Sequence, residues 1–156
     1  MPLPYEIVCG EIRRPNGFEA FIKDESGNLM LNPVLSELKS FEFPHGVTKI
    51  GNWFFEDCIN LASITIPDSV TTIGVGAFCG CSSLADIVIP YGVKSIGDSA
   101  FEDCRSLRNI TIPASVSSIG YRAFWGCSKL ISVTIPRRFE STFKQYRSIK
   151  KINYSV

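Results

Sequence analysis

Residues 66–90 read IPDSVTTIGVGAFCGCSSLADIVIP, and the same pattern of apolar residues, glycine and proline recurs every 23 residues. Valine opens each unit, an isoleucine–glycine pair follows, and phenylalanine, cysteine, leucine and a closing proline complete it. The cysteines of this series are Cys58, Cys81, Cys104 and Cys127. A fixed period of roughly 20–29 residues predicts a solenoid, in which each unit is one coil stacked on the next.

Each unit divides into a strand, a corner and a tight turn. Residues 61–67, LASITIP, alternate apolar and polar side chains near their end, which predicts a short strand that proline terminates. The V-x-x-I-G segment predicts a second, very short strand before a glycine corner. The A-F-x-x-C-x-x-L segment spaces apolar residues by three, as in a single helical or 3₁₀ turn. One period before Leu61 and Ile64 lie Leu38 and Phe41, so half a coil begins near Val34.

The composition fits one globular domain with a sizeable core. The chain has 156 residues, of which 45% are hydrophobic, and it lacks a run of apolar residues long enough to span a membrane. The first residues show no basic segment followed by an apolar stretch, so no secretory signal is visible. This leaves both a cytoplasmic location and a removed signal open. The net charge of +1 conceals a basic C-terminal segment, residues 137–156.

The flanks of the repeats are expected to cover the open ends of the stack. Residues 1–33 predict a β cap, with a strand at residues 5–9 and a hairpin formed by residues 18–23 and 29–31. At the other end, apolar residues at spacings of four, three and three predict a capping amphipathic helix over residues 137–156. They are Phe139, Phe143, Tyr146 and Ile149. We expect its basic residues to point outward; they are Arg137, Arg138, Lys144, Arg147, Lys150 and Lys151.

The repeated pattern I-P-x-x-V-x-x-I-G-x-x-A-F-x-x-C-x-x-L-x-x-I-x-I-P resembles the BspA-like type of bacterial leucine-rich repeat. The likeness covers residues 34–136, with Phe54 in place of alanine in the first unit and Val133 in place of isoleucine in the last. It implies a curved, β-rich leucine-rich-repeat solenoid with a sheet on its inner face, and a family of non-enzymatic proteins. Some members resemble cell-surface adhesins of host-associated microbes, although this chain is short and shows no wall anchor.

Catalytic and metal-binding interpretations find little support. Zinc needs ligands that converge on one point, whereas a cysteine column spreads its sulfurs along the axis, so we expect reduced, structural thiols. Cys79 lies outside the column and is expected to be exposed and open to oxidation or cross-linking. His45 is the single histidine and falls at a turn between Pro44 and Gly46. Adjacent acidic pairs fit a solvated rim, so we expect no enzyme, no cofactor and no metal site.

Two surfaces are candidates for binding a partner. The outward face of the strands carries mostly small polar residues, among which we select Asp86, Arg108, Asn109 and Ser132. The turn edges carry the larger aromatic residues, Trp53, Tyr91, Tyr121 and Trp125. Aromatic side chains are favoured at binding hot spots, but partial packing against neighbouring turns explains them equally well.

The sequence therefore predicts a non-catalytic, adhesin-like protein that binds another protein, such as a host or matrix protein, with a glycan as a further option. A repeat module of a larger adhesin is one alternative. Another is a cytoplasmic scaffold that uses the basic C-terminal helix. No nucleic acid partner is expected, since one basic segment without stacking aromatics does not make a nucleic-acid groove. An oligomer is compatible with the pattern.

Overall fold

The computed structural model describes residues 3–155, and for Met30 the backbone alone. Four short strands and a helical turn precede the repeats. They are β1 Glu6–Val8, β2 Glu11–Arg13, β3 Phe21–Lys23, β4 Leu29–Leu31 and α1 Pro33–Glu37. β3 and β4 pair antiparallel, with Phe21 opposite Leu31, so the predicted hairpin is confirmed.

Four coils follow, at residues 47–69, 70–92, 93–115 and 116–138, and each contributes two strands. These strands are β5 Lys49–Ile50, β6 Ser63–Thr65, β7 Thr72–Ile73, β8 Asp86–Val88, β9 Ser95–Ile96, β10 Asn109–Thr111, β11 Ser118–Ile119 and β12 Ser132–Ile135. A 3₁₀ turn Arg137–Phe139, the helix α2 Glu140–Lys144 and the strand β13 Lys151–Tyr154 end the chain. The predicted solenoid of strand-bearing coils is confirmed.

Equivalent residues of successive coils lie over one another in parallel sheets. The two-residue strands pair in register, with Ile73 between Ile50 and Ile96, in a sheet of order β1-β2-β5-β7-β9-β11. The longer strands form two separate sheets, β6-β8 and β10-β12-β13. The inner sheet implied by the resemblance is therefore interrupted between the second and third coils.

The interior of the stack is filled by columns of identical side chains. The rings of Phe55, Phe78, Phe101 and Phe124 lie 5.0–5.3 Å apart and within 11° of parallel. Each of these rings is at most 1% exposed, and the valine and leucine columns beside them are also buried, as is the isoleucine column except at Ile119 of the last coil. Because no coil could bury this surface alone, stacking supplies the hydrophobic stabilisation of the fold.

Main-chain hydrogen bonds join the turn segments in one direction along the stack. The N–H of Phe78 donates to the carbonyl of Ala100 in the following coil at 2.7 Å, and the same bond recurs at Phe55 and Phe101. The bonds that flank the short strands run the other way, as from the Gly97 N–H to the Ile73 carbonyl. In the turn segments, the carbonyls of the first coil therefore have no preceding coil to donate to them, and the N–H groups of the last coil have no complete following coil to accept from them.

The N-terminal segment supplies partners for the first coil. The Arg14 side chain donates through Nε to the Phe54 carbonyl at 2.8 Å and through its guanidinium NH2 to the Glu56 carbonyl at 2.7 Å. The strand β2 adds a further rung to the short-strand sheet, with Ile12 in register with Ile50. The sequence pattern did not predict the strand at Glu11–Arg13.

The predicted C-terminal helix is wrong beyond Lys144. The chain leaves the helix α2 and forms β13, which pairs parallel with β12 and sets Lys151 beside Ser132, 19 residues earlier. The same 19-residue offset makes Phe143 the equivalent of Phe124 in the next turn, and the centres of the two rings lie 5.3 Å apart. The segment is therefore a fifth turn shortened by four residues. The division of the chain into caps and repeats stays a prediction.

The half-coil before the first repeat has no strand within residues 38–44 of the described chain. Phe41 and Phe43 occupy the positions that carry isoleucine in later coils, and both rings contact Phe55 edge-on. Such bulky rings pack perpendicular to one another rather than stacking, which favours an irregular backbone over a regular strand.

Candidate functional site

The outward side chains of β6, β8, β10 and β12, which we call the long-strand face, contain the first group of candidate residues. Inward residues of these strands, such as Ile87 and Ile110, are buried, while Asp86, Val88 and Asn109 point outward and are exposed. A shallow groove of about 330 Å³ lies between β8 and β10 and is lined by all five. The structure therefore brings Asp86 and Asn109 to one groove.

The remaining candidates of this face lie beside that groove. Asn109 is in register with Ser132, and Ser132 is in register with Lys151 of β13. Arg108 is exposed next to Asn109 in the chain, and Ser132 is half-buried. The sequence pattern did not predict Lys151 on this face, because the spacing of its apolar neighbours favoured a helix there. The face combines an exposed apolar residue, Val88, with carboxylate, amide and cationic groups.

The aromatic candidates are divided between different parts of the stack. Trp53 belongs to the first coil and lies against Gly76 of the second, where a Cβ atom would fall 2.0 Å from the indole ring. Tyr91 is exposed at the corner that follows Pro90. Tyr121 and Trp125 both belong to the last coil and are 76% and 52% exposed.

Arg122 links the last coil to the third. Its guanidinium carbon lies 5.0 Å from the centre of the Trp125 ring, and its NH2 forms an ion pair with the Glu102 carboxylate at 2.9 Å. The Trp125 side chain is thus held from one side and remains accessible on the rest of its surface.

The cysteine column is part of the core. The thiols of Cys81, Cys104 and Cys127 donate to the carbonyls of phenylalanines in the preceding coil, at 3.1–3.2 Å. Burial raises the pKa of the Cys58 and Cys127 thiols to about 12. These groups stay protonated near neutral pH and act as small apolar residues with a weak donor.

The prediction that Cys79 is exposed is wrong, since the residue is only partly accessible. Burial, followed by the negative charges of Glu102 and Glu56, raises its pKa to about 11. A thiol with a raised pKa holds little of the reactive thiolate. Partial burial, and after it the carboxylates in neighbouring coils, account for this loss of reactivity.

The acidic pair Glu56–Asp57 lies near Arg14, whereas Glu102 forms an ion pair with Arg122. Burial, followed by the charge of Asp57, raises the pKa of Glu56, and Arg14 opposes this rise. Within residues 3–155, no three histidine, cysteine, aspartate or glutamate residues come together in a way that could hold a metal ion. No helix in that part of the chain is long and apolar enough to cross a membrane.

Half of the basic C-terminal residues are engaged within the molecule. Arg138 donates through its guanidinium to the Ala114 and Val116 carbonyls, Arg137 lies 4.4 Å over the Tyr154 ring, and Lys144 pairs with Glu140. The expected row of outward basic residues on one helix is therefore not formed, because the segment turns back into a strand.

The family model described as BspA type leucine rich repeat region matches residues 34–151 with six copies. The chain belongs to this family. The match extends past Pro136 into the shortened turn, in agreement with the register of β13. The leucine-rich-repeat fold of this family is typically a non-enzymatic binding scaffold and suggests protein–protein interaction. A search of curated proteins finds no match.

Solved structures of bacterial leucine-rich repeat proteins share the fold. A leucine rich cell surface protein from Faecalibacterium prausnitzii is 34% identical, with a TM-score of 0.68, over 87% of this chain and 38% of its own. A leucine-rich repeat protein from Bacteroides ovatus is 26% identical, with a TM-score of 0.60, over 76% of this chain and 43% of its own. A leucine-rich repeat protein from Eubacterium ventriosum is 25% identical, with a TM-score of 0.61, over 92% of this chain and 42% of its own. The chain thus spans about two fifths of these relatives.

Proposed function

We propose that the chain is a non-catalytic, adhesin-like module that binds a protein partner through the long-strand face. The observation that carries this proposal is the groove between β8 and β10, where Val88 is 78% exposed beside Asp86 and Asn109. An apolar centre with polar groups around it is the usual composition of a protein-binding patch. The cell-surface description of the Faecalibacterium prausnitzii protein supports an extracellular partner.

Chemistry at this face is limited to recognition. Asp86, Asn109 and Arg108 offer hydrogen bonds and charge, and the repeat presents them on a rigid set of strands. The alternative of a scaffold acting through a basic helix is not supported, because α2 ends at Lys144. Arg137 and Arg138, which precede α2, contact the Tyr154 ring and the Ala114 carbonyl of this chain.

The test is binding of the purified chain to individually immobilised extracellular-matrix proteins, measured by surface plasmon resonance. For a matrix protein that binds, Asn109→Arg should weaken the affinity by about tenfold or more, because it places a bulky cation in the groove. Asn16→Arg, the same change at an exposed residue of the N-terminal segment, is the matched control. Trp125→Ala should leave this affinity unchanged.

Absence of binding to every matrix protein contradicts the adhesin-like role. Equal affinities for the wild type and Asn109→Arg, with a loss in Trp125→Ala, exclude the long-strand face as the contact surface.

A further inference from the structure

The shortened fifth turn leaves part of the last coil without a covering neighbour. Between the valine and phenylalanine positions of a regular coil, as from Val116 to Phe124, lie seven residues, whereas only three separate Phe139 from Phe143. The missing residues are those that form the short strand and the glycine corner. We call residues 118–126 of the fourth coil the open end; the missing residues would cover its first part, residues 118–122.

Side-chain burial marks the same region. Ile50, Ile73 and Ile96 are at most 2% exposed, whereas Ile119 of the open end is only partly buried. β11 is the edge strand of its six-stranded sheet. A cleft of about 640 Å³ separates Trp125 and Gly126 from residues 145–148 of the shortened turn.

Main-chain donors of the open end lack the partners that their equivalents have. In the third coil, Ser99 N–H donates to the Tyr121 carbonyl and Asp103 N–H to the Trp125 carbonyl. The N–H groups of Arg122 and Gly126 hold the same positions in the fourth coil, and neither has a hydrogen-bond partner among residues 3–155. The Arg122 side chain adds a donor, Nε, which is buried and also unpartnered within that range.

One main-chain N–H group of the open end has a side-chain acceptor in place of the missing carbonyl. The Phe124 N–H, which would meet the carbonyl of an alanine in a complete fifth coil, lies 3.4 Å from the Tyr146 hydroxyl oxygen and donates to it. Tyr146 therefore closes the centre of the row, and Phe143 lies over Phe124. Gly126 lines the cleft, and the Arg122 N–H lies under the position of the missing residues.

We propose that the open end is a second binding site, which takes an extended segment of a partner protein in the place of the missing half-coil. The solenoid shows this interaction at its three internal junctions, where the occupant is the x-x-I-G-x-x part of the next coil. Such a segment adds a strand to the edge of β11 and brings a carbonyl to the Arg122 N–H. Exposed Tyr121 and Trp125 flank it and supply apolar contact. This site is independent of the long-strand face.

The geometry also predicts which segment fits. A Cβ atom built on Gly97 would fall 2.6 Å from the main chain of Gly74, and one on Gly120 would fall 2.2 Å from the Asp98 nitrogen. Coils approach so closely at this corner that a side chain on the upper coil meets backbone below. A segment bound over Gly120 must therefore carry glycine at the equivalent position.

The probe is a synthetic peptide with the sequence of residues 94–99, KSIGDS, which stops before the alanine and phenylalanine positions that Tyr146 and Phe143 already fill. It is titrated into the ¹⁵N-labelled full chain, where the amide resonance of Arg122 should shift and its hydrogen exchange should slow by about tenfold at saturation. The same peptide carrying Gly97→Val is the matched control and should leave the Arg122 amide unchanged.

A second variant tests the cause directly. Replacing residues 139–143 by a copy of residues 116–124 restores the 23-residue length, so it should protect the Arg122 amide and abolish the response to peptide. Equal responses to both peptides, or no response of Arg122 at millimolar peptide, overturn the proposal. So does protection that increases with protein concentration without peptide, since a second copy would then be the occupant. Loss of matrix-protein binding in Asn109→Arg does not bear on these outcomes.

Discussion

At the scale of single residues, the thiol column shows how identical positions share one environment. Cys58, Cys81, Cys104 and Cys127 are at most 3% exposed, and burial is the largest cause of the raised pKa in each. In the unfolded chain the same thiols titrate near pKa ~8.5. The folded state therefore retains protons that the unfolded chain releases at alkaline pH.

This difference predicts a loss of stability at alkaline pH. The stabilisation is complete below the unfolded pKa of about 8.5 and is lost as the pH rises toward about 12, the folded pKa of Cys58 and Cys127. In that window each buried thiol lowers the free energy of unfolding by about 1.4 kcal/mol per pH unit. Urea unfolding in a reducing buffer at several pH values measures the slope.

A single variant locates the effect. Cys127→Ala should reduce the slope by one thiol's share, whatever its effect on stability at neutral pH. A slope that Cys127→Ala leaves unaltered contradicts the assignment.

At the scale of elements, the two ends of the stack are closed by different side chains in equivalent roles. Arg14 satisfies two carbonyls of the first coil, and Tyr146 satisfies one N–H of the last. Buried main-chain groups without a partner are costly, so these side chains replace coils that are not there.

Removing the arginine should destabilise the chain. Arg14→Ala leaves the carbonyls of Phe54 and Glu56 without these donors and should lower the free energy of unfolding by about 1–3 kcal/mol. Arg13→Ala is the control, because its partner Glu6 forms an exposed ion pair that contributes about 0–1 kcal/mol. Equal losses in the two variants, measured by urea unfolding, would show that Arg14 is not the group that closes this end.

The elements also separate what the sequence predicts from what it does not. The 23-residue period was enough to predict the solenoid, its two strands per coil and the buried columns. The fifth turn was missed because the spacings of Phe143, Tyr146 and Ile149 suit an amphipathic helix as well as the repeat. The decisive signal is at Ile152 and Tyr154, which repeat the two-residue apolar spacing of the strand residues Val133 and Ile135.

The candidate site was less predictable than the fold. Asp86 and Asn109 were expected on one face because the strand period is two, and the structure places them in one groove. The interruption between β8 and β10 that forms the groove depends on contacts between coils, which no single repeat encodes. Likewise, the main-chain donor of Arg122 becomes significant only once the turn above it is known to be short.

At the scale of the whole molecule, stability should grow with the number of coils. Each coil contacts only its neighbours, so inserting a second copy of residues 93–115 after Ser115 adds one complete junction. We expect a higher free energy of unfolding, with a denaturant m value about 15% larger, in proportion to the added length. Thermal and urea unfolding provide both quantities.

The control for this insertion is the same 23-residue copy with its phenylalanine and leucine, equivalent to Phe101 and Leu107, changed to serine. It adds the same length without filling the core columns and should lower stability. An intact copy that destabilises the chain as much as the serine copy would contradict nearest-neighbour stacking.

The opposed directions of the main-chain hydrogen bonds have an electrostatic consequence. In an α-helix the peptide dipoles add along the axis and leave partial charge at the two termini. In this stack the Phe78-to-Ala100 bond and the Gly97-to-Ile73 bond point oppositely along the axis, so their dipoles partly cancel. A longer array of such coils accumulates little axial polarity, and its termini gain no growing attraction for ions as repeats are added.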